Sequence, residues 1–406
     1  MHDYIPEKLV PLSDYEISMS SGIKDLDALY GLPKDVIFCT RCVISNQRPR
    51  ITFNDDGVCS ACTYWEKKDV VISWAEREDE LRDLCDRYRK SDGSFDVLVP
   101  SSGGKDSIFV AHQLKNRFGM HPLTMTWSPH VYTDIGLFNF FAQIHAGLDN
   151  ILLSPNAIVH RRMCRIATLV MGDPFQPFIY GQSTVPLRIA ANFGISLIMD
   201  GENGEAEYGG DVESENSKGF DKEDAEKYWL SDFSIDYWKD YGFSNADLEL
   251  YRGPNQQEIG SQTIERHFYS YYVDWRPQKH YYYAAENTGF RPNPEGRSQG
   301  TYSKYASLDD AIDPFHYYFA MLKFGLGRAT SDAAHEIREG LISREDGVAL
   351  VRRFDSEIPR EETRQLFLRY AGLSESQLEA SISSWRNPRL WTSTEDGVSQ
   401  LRQMVS

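Results

Sequence analysis

Between residues 95 and 200 short apolar runs alternate with longer amphipathic stretches. Residues 95–100, 122–127, 150–154 and 195–200 are brief apolar runs bounded by turn formers, the length and makeup of buried strands. Residues 108–118, 135–146, 157–171 and 185–192 carry apolar positions at helical spacing, and 178–181 is a further short apolar segment. Repeated strand–helix units of this kind predict a parallel, doubly wound α/β sheet. Residues 70–90 read as a charged helix, with Trp74, Leu81, Leu84 and Tyr88 on one side. From 326 onward the pattern is helical: Thr330 or Ser331 caps a stretch ending at Gly340, Ser343-Arg-Glu-Asp346 opens another as a capping box, and 361–371 and 375–385 follow. The 328–353 pair has the spacing of a helix-turn-helix, which ordinary structural helix pairs share.

These patterns divide the chain into a polar arm (1–35), a cysteine-bearing unit (36–68), the α/β region (70–205), an acidic and then aromatic insertion or substrate region (206–325) and a helical end (326–406). No internal repeat is visible. In residues 268–275 the aromatics Phe268, Tyr269, Tyr271, Tyr272 and Trp275 read as core before they read as a stacking platform.

Composition changes the picture in two places. With 406 residues and 41% hydrophobic positions the chain is neither disordered nor too small for a large core. Forty-three basic against 60 acidic residues give a net charge of −17. That balance argues against nucleic acid as a partner, because such binding needs clustered Lys and Arg. More than half of it sits in 201–240, where 13 acidic residues meet 4 basic ones, the makeup of a loop-rich insertion or lid and equally of a solvated acidic surface. No run of apolar residues is long enough to span a bilayer and no secretory signal is visible, which makes a cytoplasmic protein the expectation.

Four of the six cysteines, Cys39, Cys42, Cys59 and Cys62, form C-x2-C-x16-C-x2-C. Between the two halves, Ile51-Thr-Phe runs into Asn-Asp-Asp-Gly, a hairpin signal that would bring the halves together around structural zinc. Four thiolates close the coordination sphere, so the role expected is folding. Cys85 and Cys164 stand alone, without an assigned role.

The chemistry-bearing motif is Ser101-Ser-Gly-Gly-Lys-Asp-Ser107, placed between the first strand and its helix. Small residues let a ligand approach the backbone, the helix N-terminus offers N–H groups to phosphates, and Lys105 and Asp106 add a cation and a Mg2+-binding carboxylate. It is not a Walker loop, which needs Ser or Thr after Gly-Lys. S-G-G-x-D-S after a strand resembles the PP-loop ATP pyrophosphatases, or adenine-nucleotide α-hydrolase-like proteins. The resemblance implies cleavage of ATP between its α and β phosphates. Ser102, Gly103, Gly104, Lys105, Asp106 and Ser107 would then lie on the phosphates and Mg2+. At the later strand end, Asp200-Gly201-Glu202-Asn203-Gly204, the residues Gly201, Glu202 and Asn203, with Glu207 as a further Mg2+ ligand, are candidates.

Three further segments, 201–210, 300–310 and 323–332, join the cysteine unit in a closer likeness. Together with Cys39-Thr-Arg-Cys42 and Ile51–Cys62, over about 39–355, the chain resembles the N-acetyl sugar amidotransferases of surface-polysaccharide and nonulosonic-acid pathways. The resemblance implies that ATP adenylates the acetamido oxygen of a sugar and that ammonia displaces AMP to give an acetamidino group. It also implies a glutaminase partner working with a cyclase-like barrel subunit. Nothing in the chain resembles a glutaminase, so ammonia must come from outside. Arg297, Lys304, Lys323 and Arg328 are candidates to hold an acidic or nucleotide-linked sugar. The alternative class is a PP-loop thiolating enzyme acting on tRNA or a small metabolite, which would need a persulfide-carrying cysteine or an iron–sulfur cluster.

Overall fold

The computed structural model describes residues 4–6, 9–19, 22–219, 234–260 and 262–406. Five strands, β1 (Val97–Pro100), β2 (Pro122–Trp127), β3 (Asp149–Leu153), β4 (Leu197–Asp200) and β5 (Glu265–Phe268), form one parallel sheet in the order β3-β2-β1-β4-β5. β1 sets Val97 to Pro100 beside Pro122 to Met125 of β2, and on its other side Leu98 pairs with Ile198 of β4. The chain order therefore reverses between β1 and β4, which opens a crevice at their carboxyl ends. The predicted α/β class is the observed one.

β5 carries no apolar run. It is an edge strand whose polar side chains are engaged locally: Arg266 pairs with Asp200, and His267 Nε2 lies 3.0 Å from Glu265 Oε2. Segment 178–181 and the helix expected from Val185 are one helix, Gln176–Asn192, which has Pro177 in its first turn and keeps Pro186 inside. Gly181 is required there because a Cβ would meet the Trp127 indole at 2.1 Å. Tyr269, Tyr272 and Trp275 are buried in one core cluster, and Phe268 is buried beside them in sequence.

In the cysteine unit, isolated bridges Phe38–Ser45 and Phe53–Cys59 form the two turns. Asn54 Oδ1 accepts from the N–H groups of Asp56 and Val58, and Gly57 takes φ +72°. The arm is packed rather than free: Ile5, Leu26 and Leu32 enter the core, and Arg161 and Arg165 donate to the carbonyls of Pro6 and Val10. The described part of 201–240 contains the helix Gly204–Tyr208 and short 3-10 turns; residues 220–233 of the expected lid lie outside the described residues.

Helices Asp313–Phe324, Arg328–Arg338, Arg344–Phe354, Glu361–Ala371 and Glu375–Trp385 make the helical end. An antiparallel strand pair closes it, Trp391–Ser393 with Ser399–Leu401, where only helix was expected. Ser343 caps its helix as a capping box. Thr330 and Ser331 do not cap theirs: Gly327 is the N-cap, and the Asp355 carboxylate accepts from the N–H groups of Gly327 and Thr330. The helix-turn-helix-like pair is structural, since Ala333, Ala334 and Val351 pack on Val43, Ile44 and Val58 of the cysteine unit. No helix among the described residues is long and apolar enough to cross a membrane.

Candidate active site

The loop from β1 into the helix Lys105–Asn116 turns at Gly103, whose φ is +90° and whose absent Cβ would lie 2.8 Å from the backbone nitrogen of Phe140. Glycine is needed there on both counts. Ser101 Oγ lies 2.9 Å from Ser107 Oγ and 2.7 Å from Gln143 Oε1, which ties the loop's two ends together. Gly104 is the helix N-cap and no side chain caps it, so the first turn presents its N–H groups to the crevice. A Cβ on Gly104 would meet only Ser102 Oγ, at 3.6 Å.

A cavity of about 560 Å³ opens over this loop, with Ser102, Gly104, Asp106, Gly201 and Glu202 on one side. Met125, Trp127, Phe178 and Pro186 form an apolar wall opposite. A second cavity of about 520 Å³ meets it at Ser102, Asp106, Phe178 and Glu202. Its far wall is Tyr305, Asp309, Asp313, Tyr317, Arg328, Asp332, Glu336 and Glu339. A smaller space of about 140 Å³ lies behind the loop, between Gly103 and 305–309. A larger groove of about 1070 Å³ lies beside Leu9 and the helix Glu361–Ala371, away from all these groups.

The electrostatics of the meeting point are uneven. Burial opposes ionisation of Asp106, but Lys105 and the hydrogen bond with His280 outweigh it and hold the carboxyl well below its ordinary range. Glu202 moves the other way, pushed up to about 7 by burial and then by the charge of Asp106. Burial likewise raises Asp309 and Asp313, each also facing neighbouring carboxylates. Ser307 holds φ +52° between the second and third cavities, a left-handed conformation uncommon outside glycine.

The sequence candidates therefore separate. The motif residues Ser102, Gly104, Asp106 and Ser107 line the first cavity together with Gly201 and Glu202; Lys105 lines the second, and Gly103 the smallest. Asn203 is buried and works as the N-cap of Gly204–Tyr208, with its amide on Ser214 O. Glu207 lines none of these cavities; both its oxygens lie on Lys68 Nζ, at 2.9 and 3.2 Å, in a fully buried pair. Of the four cations, Arg328 alone reaches a cavity, paired to Asp332 at 3.0 Å and to Tyr317 Oη at 2.8 Å. Arg297 is clamped on Glu357, Lys304 lies exposed over the Tyr281 ring, and Lys323 is buried with its Nζ 3.3 Å from Met171 O.

His280 and the carboxylates of 309–339 lie at the site without being among the residues that the motifs single out. His280 sits in an aromatic stretch with no fixed spacing from Asp106, so no local signal marks it. The adjacent pair Asp309-Asp310, at the end of a recognised segment, was a signal available for the second group.

The four cysteine sulfurs lie within 4.8 Å of one another, with Cys39 to Cys62 at 3.9 Å and Cys42 to Cys59 at 3.7 Å. Tetrahedral Zn–S bonds of about 2.3 Å require sulfurs about 3.8 Å apart, so the group fits zinc. The N–H groups of Arg41, Cys42 and Cys59 point at Cys39 Sγ, at 3.3 to 3.5 Å, and would stabilise a thiolate there.

Residues 299–404 match the family model of the LPS biosynthesis protein WbpG-like C-terminal domain. This segment supplies the far wall of the second cavity. No curated protein matches the chain. Among solved structures it is similar to the NH3-dependent NAD synthetase from Campylobacter jejuni subsp. jejuni NCTC 11168 in complex with the nitrate ion, at 14% identity and a TM-score of 0.28, over 46% of this chain and 91% of that one. It is also similar to NMN synthetase from Francisella tularensis, at 11% identity and a TM-score of 0.24, over 47% and 79%. At these scores the likeness carries no argument about activity, and the fold stands on the sheet order and register given above.

Proposed function

We propose that this chain is an ATP-dependent amidotransferase that converts the acetamido group of an N-acetyl sugar to an acetamidino group. The observation that carries the reading is the meeting of two cavities at Ser102, Asp106 and Glu202. ATP occupies the first, its phosphates on the Ser102–Ser107 loop and its base toward Trp127 and Phe178. The sugar occupies the second, walled by the WbpG-like segment, so that its amide oxygen faces the α-phosphate. Attack by that oxygen breaks the α–β phosphate bond and releases pyrophosphate. Ammonia then adds to the activated carbon, a proton is lost and AMP leaves. Lys105 and the helix N-terminus stabilise charge on the departing pyrophosphate.

Asp106 and Glu202 both line the two cavities where they meet, and the charge of Asp106 acts on Glu202, an arrangement that a divalent cation would relieve. Mg2+ held there would neutralise phosphate charge. Glu207, committed to Lys68, is outside this set. The chain offers no glutaminase chemistry, so ammonia is taken from solution or from a glutaminase partner with a barrel-type subunit. A thiolating reading is less well supported: Cys85 and Cys164 are buried and line neither cavity. The test is AMP formation by the purified, zinc-loaded protein with ATP, Mg2+, ammonium and a panel of N-acetyl sugars. AMP that depends on one sugar supports the reading; its absence with every sugar removes it.

A further inference from the structure

The loop carboxylate Asp106 is held by a residue far away in sequence. His280 lies on the helix Pro277–Thr288, which packs along the loop's own helix, Lys105–Asn116. Its Nδ1 is 2.8 Å from Asp106 Oδ1, while Lys105 Nζ contacts the other oxygen, Oδ2. The backbone N–H of Arg276 donates to His280 Nε2 at 3.3 Å, so Nε2 must offer its lone pair and the proton must sit on Nδ1. The ring is fixed in plane as well. It stacks on Phe109 at 4.1 Å and 15°, and Trp275 meets it edge-on at 4.3 Å. The residue is 2% exposed and lines none of the cavities, so it reaches them only through Asp106.

We propose that His280 is the positioning residue of the ATP site: a neutral hydrogen-bond donor that fixes one oxygen of Asp106 and so sets the direction in which the carboxylate meets the phosphates and their cation. Neutrality matters to the design. Lys105 already balances the charge of this carboxylate, and an imidazolium on the other oxygen would make the group net positive where a divalent cation must bind. An Nδ1–H donor orients the group and leaves its charge in place. The backbone N–H of Arg276 enforces that tautomer.

The inference rests on the reading that Asp106 serves ATP, and the test separates the two. Asn places its amide nitrogen where Nδ1 stood, whereas Gln places it near Nε2. Loss of a hydrogen bond to a charged group corresponds to roughly 10- to 100-fold. His280→Ala and His280→Gln should therefore lower kcat for AMP formation by roughly 10- to 100-fold and raise the Mg2+ concentration needed for half-maximal rate. His280→Asn should recover most of both, and all three should keep the wild-type circular dichroism spectrum and bound zinc. Equal loss in Asn, Gln and Ala, or no loss in Ala, would overturn the positioning role. Wild-type protein that makes no AMP with any sugar would overturn the proposed function instead, and Mg–ATP affinity measured by calorimetry on the same variants would then decide the role of His280: weaker binding in Ala and Gln but not in Asn supports it, and unchanged binding in all three contradicts it.

Discussion

Lys68 and Glu207 lie 2.9 Å apart with neither side chain exposed, and Lys68 Nζ also donates to Trp275 O at 3.1 Å. A pair this deep tolerates loss of both partners better than loss of one. Lys68→Met or Glu207→Gln alone should cost about 3–5 kcal/mol in urea unfolding, and the double variant Lys68→Met/Glu207→Leu should recover much of it. Burial opposes the Glu207 carboxylate, but Lys68 and His335 hold its carboxyl down to about 2, below its ordinary 4.5. Its contribution is therefore complete above pH 4.5 and fades as pH falls toward 2. Glu202 carries the opposite sign. Raised to about 7, it is protonated below neutrality, so a rate that uses the carboxylate should fall as pH drops through 7. Glu202→Gln should remove that acidic limb from the pH profile of kcat/KM, and a limb unchanged in the variant would assign it elsewhere.

The loop and its helix were the most legible element. A short apolar run, small residues and a helix pattern were enough to place Ser101–Ser107 at a strand end, because that geometry depends on local sequence. β5 and the final strand pair were not legible. β5 is polar and held from outside by Asp200 and the neighbouring strand; Trp391–Ser393 and Ser399–Leu401 are too short to show a period. The caps divide in the same way: Ser343 was readable because its partner Asp346 is three residues away, and Asp355 capping Gly327 was not. Within the loop the two glycines should respond differently. Gly103→Ala, with positive φ and a backbone clash, should destabilise the protein by about 1–3 kcal/mol and abolish ATP turnover. Gly104→Ala should leave unfolding nearly unchanged and raise the KM for ATP, since its Cβ enters the cavity rather than the protein.

Across the molecule, the four-cysteine unit works as a brace. Arg344 donates to the carbonyls of Cys39 and Cys42, Arg48 to Gly209 O, and Arg50 pairs with Glu205. The unit thus joins the helical end to the segment that follows β4 and carries Glu202. Cys59→Ser should lower zinc content in elemental analysis, reduce the unfolding midpoint and depress AMP formation without any change in the ATP loop itself. The four-cysteine group was readable from spacing, but this bracing was not, because each contact joins residues distant in the chain. For the same reason three of the four expected substrate cations lie outside the paired cavities, Arg297 and Lys323 engaged elsewhere and Lys304 exposed. In the proposed function the paired cavities join ATP cleavage to amidine formation on an N-acetyl sugar. Mass spectrometry of the product made with ATP, Mg2+ and 15N-ammonium tests it most directly. The proposed reaction yields a sugar in which one oxygen is replaced by labelled NH, formed in equal amount with AMP and absent with Asp106→Asn. AMP released with an unaltered sugar, or a labelled product formed without AMP, would contradict it.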